Sequence, residues 1–128
     1  MDERVTLLLP KKVIINDFGT QLSYTWKVGT EELGNVYENL CLIQDQSINK
    51  LGLKFLNHKL ILIKSTQNAF DLDTALDVSV FNIDNHSLDY ILKFLSNHLD
   101  SRNEVNHVDI DFAYKIGKHA TLTIEFDK

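Results

Sequence analysis

Strict alternation of apolar and polar residues is clearest near the C-terminus. Val108, Ile110, Phe112 and Tyr114 alternate with Asp109, Asp111 and Ala113, and Ala120, Leu122, Ile124 and Phe126 alternate with His119, Thr121, Thr123 and Glu125. A period of two belongs to a half-buried strand, so the pattern predicts strands over Val108–Tyr114 and His119–Phe126 that share one core. With Ile116-Gly117-Lys118 as the connecting loop, Lys115 pairs with His119. Asp109 is then expected opposite Glu125, Asp111 opposite Thr123, and His107 near Asp127. Four carboxylates crowd one outward face with little compensating charge. Like charges directly opposed on paired strands are mildly destabilising, so such a face is either fully solvated or kept for something cationic.

Upstream, the same reading predicts strands at Val5–Leu9, Val13–Ile15 and Gln21–Val28, the last two joined by the turn Asn16-Asp17-Phe18-Gly19. Thr30 supplies an N-cap, with Glu31 and Glu32 at the positive end of a helix. Leu33, Val36, Tyr37, Leu40 and Ile43 follow at helical spacing, with Gly52 as the stop after Ile48 and Leu51. Leu53–Leu56 and Leu60–Ile63 flank Asn57-His58-Lys59 as a short hairpin. The polar, Asp-rich stretch Thr66–Ala75 reads as a loop, and Leu76–Ile83 as a strand. Ser87 opens the clearest helix, in which Leu88, Ile91, Leu92, Leu95 and Leu99 trace one buried stripe. The polar run Asp100–Asn106 ends it. Short connections between successive strands predict an α+β fold, a single antiparallel sheet built from hairpins with two α-helices packed on one face. No linker, low-complexity segment or internal repeat is evident in the 128 residues, so residues 1–128 are expected to form one α+β domain.

Charge changes the picture more than composition does. Residues 1–65 carry eight Lys/Arg against seven Asp/Glu, a net of +1, whereas residues 66–128 carry five against eleven, a net of −6. An acidic half argues against phosphate-mediated nucleic-acid binding and against approach to anionic membranes, and it favours encounter with a basic partner. The lone cysteine, Cys41, excludes an intramolecular disulfide and fits a reducing compartment. The acidic start Met1-Asp2-Glu3-Arg4 and the short apolar run Val5–Leu9 resemble neither a signal peptide nor a membrane span. A cytoplasmic protein is expected.

Each candidate for chemistry meets a simpler explanation. Arg102 and His107 have the Arg-x4-His spacing of a group of helical ribonucleases, but here the pair falls between a helix end and a strand. Asp109 and Asp111 with Glu125 and His107 or Asp127 could face a hard cation, yet a flat sheet face does not wrap an ion. Asp71-Leu72-Asp73-Thr74 begins like a calcium loop but has Leu76 where Gly is required and Asn82 where Glu is required. His107, His119 and Lys115 could form an acid–base set, although the surrounding carboxylates would repel a phosphate. Cys41 lies on or beside an apolar helical stripe, without a local base.

These observations favour a small acidic protein-binding module over an enzyme, without metal or cofactor. Its general character is that of toxin-neutralising immunity proteins and antitoxins, an analogy of type and not of sequence. Asp109, Asp111, Glu125 and Asp127 would meet Lys or Arg on a basic, toxin-like partner, with Asp71 and Asp73 as a second contact. The alternatives are a small-ligand or accessory-subunit domain, with a pocket lined by Trp26, Tyr24 or Tyr114, and a His-dependent nuclease.

Overall fold

The computed structural model describes residues 5–55, 59–65, 69–73, 78–99, 106–113 and 119–127. Its elements run β1 (Val5–Leu8), β2 (Lys12–Asp17), β3 (Gln21–Gly29), α1 (Leu33–Gln44), β4 (Lys50–Phe55), β5 (Lys59–Ser65), β6 (Ala69–Asp73), β7 (Val78–Ile83), α2 (Asn85–Leu99), β8 (His107–Ala113) and β9 (His119–Asp127). The strands form two mixed sheets, ordered β1-β4-β5-β7-β6 and β2-β3-β9-β8. This corrects the expected single antiparallel sheet with helices on one face. Three parallel pairings, β1 with β4, β3 with β9 and β5 with β7, join segments distant in sequence, and adjacency along the chain cannot reveal them.

The differences in individual elements have local causes. The segment read as a loop at Thr66–Ala75 contains β6, whose aspartates lower its strand propensity while Phe70 and Leu72 turn inward against the core. Helix α1 ends at Gln44 rather than near Gly52, because Asp45 accepts the Ser47 amide at 2.9 Å and Gln46 takes a left-handed conformation (φ 64°). Hydrogen bonds from the Ser47 hydroxyl and the Ser47 amide hold the Asp45 carboxyl below its ordinary value. Glu32, not Thr30, is the N-cap of α1, and its carboxylate accepts the Gly29 amide at 3.1 Å. Helix α2 begins at Asn85, before Ser87, and the Asp84 side chain accepts the Ser87 amide at 2.8 Å. That bond, with one to the Ser87 hydroxyl, lowers the Asp84 pKa.

One apolar core joins the inner faces of both sheets to both helices. The helices pack on each other, and α1 also touches β3 in one sheet and β4 and β5 in the other. Where the sheets meet, Tyr24, Phe70, Phe81 and Phe112 form an aromatic cluster with ring centroids 5.0–5.6 Å apart.

The chain contains an internal two-fold that the sequence does not announce. Residues 12–65 follow the order β2-β3-α1-β4-β5 and residues 69–127 the order β6-β7-α2-β8-β9. Exchanging these two ββαββ units turns one sheet order, β2-β3-β9-β8, into β6-β7-β5-β4, which is the other sheet read backwards without β1. The registers follow. Trp26 lies between Val13 and Ile124 as Phe81 lies between Phe70 and Ile63, and Tyr24 lies between Ile15 and Leu122 as Ser79 lies between Leu72 and Ile61. Tyr24 and Ser79, equivalent by this rule, share a buried hydrogen bond of 2.7 Å between their oxygens. From β3 through the helix the equivalence is a constant step of 55 residues, as 28 to 83, 33 to 88, 36 to 91 and 40 to 95. The spacing of apolar residues repeats more than their identity, since Val28, Leu33, Val36 and Leu40 meet Ile83, Leu88, Ile91 and Leu95. β1 has no counterpart among the described strands.

Candidate functional site: an acidic flank and a Trp26 pocket

The outward residues of β8 and β9 lie on the exposed face of the four-stranded sheet. Val108, Ile110 and Phe112 point into the core, while Asp109 and Asp111 face solvent. The hairpin register differs from the expected one by two residues. Ala113 pairs with His119, so Asp109 lies opposite Thr123, Asp111 opposite Thr121, and Glu125 opposite His107. A slip of two preserves which face each side chain occupies. It also exchanges an Asp–Glu opposition for two charge-assisted hydrogen bonds. The Thr123 hydroxyl donates to Asp109 Oδ1 at 2.6 Å, and the Thr121 hydroxyl donates to Asp111 Oδ1 at 2.8 Å. Gln21 Nε2 donates to Thr121 at 3.1 Å.

Compensating charge comes from a strand that the sequence did not place beside β9. Parallel pairing sets Lys27 beside Glu125, with Nζ 3.9 Å from Oε1 and both side chains less than half exposed. His107 Nε2 lies 3.6 Å from Asp109 Oδ2. The expected group of four uncompensated carboxylates is therefore corrected. Glu125 has a cation beside it, and the outward negative charge concentrates on Asp109 and Asp111 of β8. Asp127 pairs in register with Gly29, and its side chain lies outside the described residues.

Asp71 is exposed on β6, in the other sheet, and the side chain of Asp73 lies outside the described residues. The structure does not bring Asp71 onto the face of Asp109. It does bring the end strands β6 and β8 into contact, so both flank one side of the molecule. On the equivalent strand of the first unit, β4, the outward positions that match His107, Asp109 and Asp111 are Lys50, Gly52 and Lys54. The charge asymmetry along the sequence is a difference between the two units.

The acid–base set proposed from His107, His119 and Lys115 is not assembled. His119 pairs with Ala113, six residues along β8 from His107, which is about 20 Å at strand spacing. Lys115 and Tyr114 lie outside the described residues, as does Arg102. Among the described residues no group of three His, Cys, Asp or Glu is placed to hold a metal ion. No described helix is long and apolar enough to cross a membrane.

A second feature was only partly legible in the sequence. A pocket of about 170 Å³ is lined by Leu8, Leu9, Pro10, Trp26, Glu31, Glu32, Asn35 and Val36. Trp26 is buried, and its indole N–H has no hydrogen-bond partner. An unmade bond of this kind costs about 1–3 kcal/mol. Its equivalent in the second unit is Phe81, which has no such group to satisfy. Tyr24, expected at the same pocket, is buried against Ser79 instead.

Comparison of the chain with protein-family models, with curated proteins and with solved structures gives no match.

Proposed function

We propose that the protein is a binding module rather than an enzyme, and that it takes a basic protein partner on the flank formed by β8 and β6, as an immunity- or antitoxin-type inhibitor does. The observation that carries this reading is the pair Asp109 and Asp111, exposed on an end strand and each oriented by a threonine. Carboxylates held in place lose less rotamer freedom on meeting Lys or Arg, and they steer a basic partner from a distance. The half-buried thiol of Cys41, the chain's single cysteine, fits work in the cytoplasm, where thiols stay reduced.

The test begins with a stoichiometric partner captured from the native host. Association of that partner with Asp109→Asn/Asp111→Asn is expected to be slower and less salt-dependent than with the parent protein, because fewer charges are left for ions to screen. An unchanged rate and salt response would overturn the reading.

The pocket lined by Trp26 favours a second reading, a site for a small molecule. Trp26 is the only tryptophan, so its fluorescence reports on the pocket alone. Small alcohols, amides and carboxylates are expected to shift its emission in a saturable way, and a strictly linear response across that set would remove this reading.

A further inference from the structure

We propose that the outer edge of β8 receives an extended strand of a protein partner, parallel to β8 and carrying Lys or Arg at alternate positions. The inference rests on the partner-binding reading for its charge argument and on the internal two-fold for its geometry. β8 ends its sheet, and among the described residues no strand pairs with its outer edge, although β6 approaches from the other sheet. Its equivalent in the first unit, β4, has that edge filled. β1 lies there in parallel, with Val5 beside Lys50, Thr6 beside Leu51, Leu7 beside Gly52 and Leu8 beside Leu53. The fold thus already seats a parallel strand at one of two equivalent edges.

The occupied edge defines what the open one requires. Thr6 and Leu8 are half-buried, and Leu8 packs against the core, whereas Val5 and Leu7 face outward. Carried across the two-fold, a guest strand sets inward residues beside Val108 and Ile110 and outward residues beside His107 and Asp109, with Asp111 next along the face. The inward residues must be apolar or small. The outward ones meet His107 and Asp109 where β1 meets Lys50 and Gly52, and a strand two residues longer also meets Asp111, so β1 of a second copy, with Val5 and Leu7 outward, is the poorer occupant and a strand with cations beside the two aspartates the better one. Charges on end strands also protect against unwanted pairing. Here they reject apolar and acidic strands while accepting a basic one.

The experiment uses the full chain, isotopically labelled, and synthetic peptides of about six residues. One alternates Lys with Val and Leu, a second has Glu in place of Lys, and a third scrambles the first. The Lys peptide is expected to shift and protect backbone amides of Val108–Phe112. It should bind roughly tenfold more tightly than the Glu peptide, the scale of two opposed pairs changed from unlike to like charge. A spin label at its N-terminus should broaden signals near His107 rather than near Ala113. In Asp109→Lys/Asp111→Lys, whose changed positions are exposed, the preference should reverse towards the Glu peptide, which also shows that the variant is folded.

Equal binding of the scrambled peptide, broadening near Ala113, or an absence of β8 amide protection would each overturn the strand-seat proposal. So would concentration-dependent self-association that protects the same amides in the absence of peptide. If a natural basic partner binds with dependence on Asp109 and Asp111 but leaves β8 amide exchange unchanged, the strand seat fails and the partner-binding reading stands. If the Lys peptide docks as described while that partner is indifferent to both aspartates, the partner-binding reading fails and the seat remains.

Discussion

Phe81→Ala is expected to destabilise the protein by about 3–5 kcal/mol, the range for truncating a buried aromatic. The ring is fully buried, and its centroid lies 5.0 Å from Tyr24, 5.0 Å from Phe70 and 5.1 Å from Phe112. Those partners belong to β3, β6 and β8, so this one ring touches strands of both sheets. Tilted and edge-on pairs add about 0.5–1.5 kcal/mol each beyond area burial, and the strands around the hole can close it only by moving the sheets together. Phe18→Ala is the control, since Phe18 is 67% exposed at the β2–β3 turn and should change stability by no more than about 0.5 kcal/mol. Urea denaturation of both variants decides the matter. A loss below about 1 kcal/mol at Phe81 would mean that the sheets do not meet there.

Leu40→Ala and Leu95→Ala are expected to cost about 2–5 kcal/mol each, and to cost similar amounts. Leu40 on α1 and Leu95 on α2 are equivalent under the internal two-fold, are 0% and 1% exposed, and lie on helices that pack on each other. Lys93→Ala, on the exposed side of α2, should be nearly neutral. The same denaturation measurements test the helix faces and the equivalence together. A heavy loss at Leu95 with none at Leu40 would break the equivalence, and equal losses at Leu95 and Lys93 would break the face assignment.

Much of the secondary structure was legible because burial on one side leaves a periodic trace. The strands β3, β8 and β9 lie within a residue or so of their expected ranges, and Leu88, Ile91, Leu92 and Leu95 of the expected stripe are buried, whereas Leu99, at the end of α2, is exposed. β6 is hard to read from sequence because a short end strand containing two aspartates carries little strand propensity. The C-terminal hairpin register is hard to read for a different reason. Alternation restricts register to steps of two and leaves the choice among them open; the observed step is the one in which Thr123 and Thr121 donate to Asp109 and Asp111. The internal two-fold left no readable repeat, since a core constrains the spacing and size of apolar residues more than their identity.

Periodicity by itself determined which residues face the core and which face water, because periods of two and of 3.6 are properties of local backbone geometry. It therefore placed Asp109, Asp111 and Glu125 outward on neighbouring strands. Only the tertiary structure decided which strands became neighbours. Gln21 lies beside His119, and Lys27 beside Glu125, through a parallel pairing of two strands roughly a hundred residues apart along the chain. Such a pairing is selected by the fit of two sheets and two helices around one core, which no local segment encodes. That selection gave Glu125 its cation, left the charge of β8 outward on Asp109 and Asp111, filled the edge of β4 with β1, and, among the described residues, left the equivalent edge of β8 without a strand.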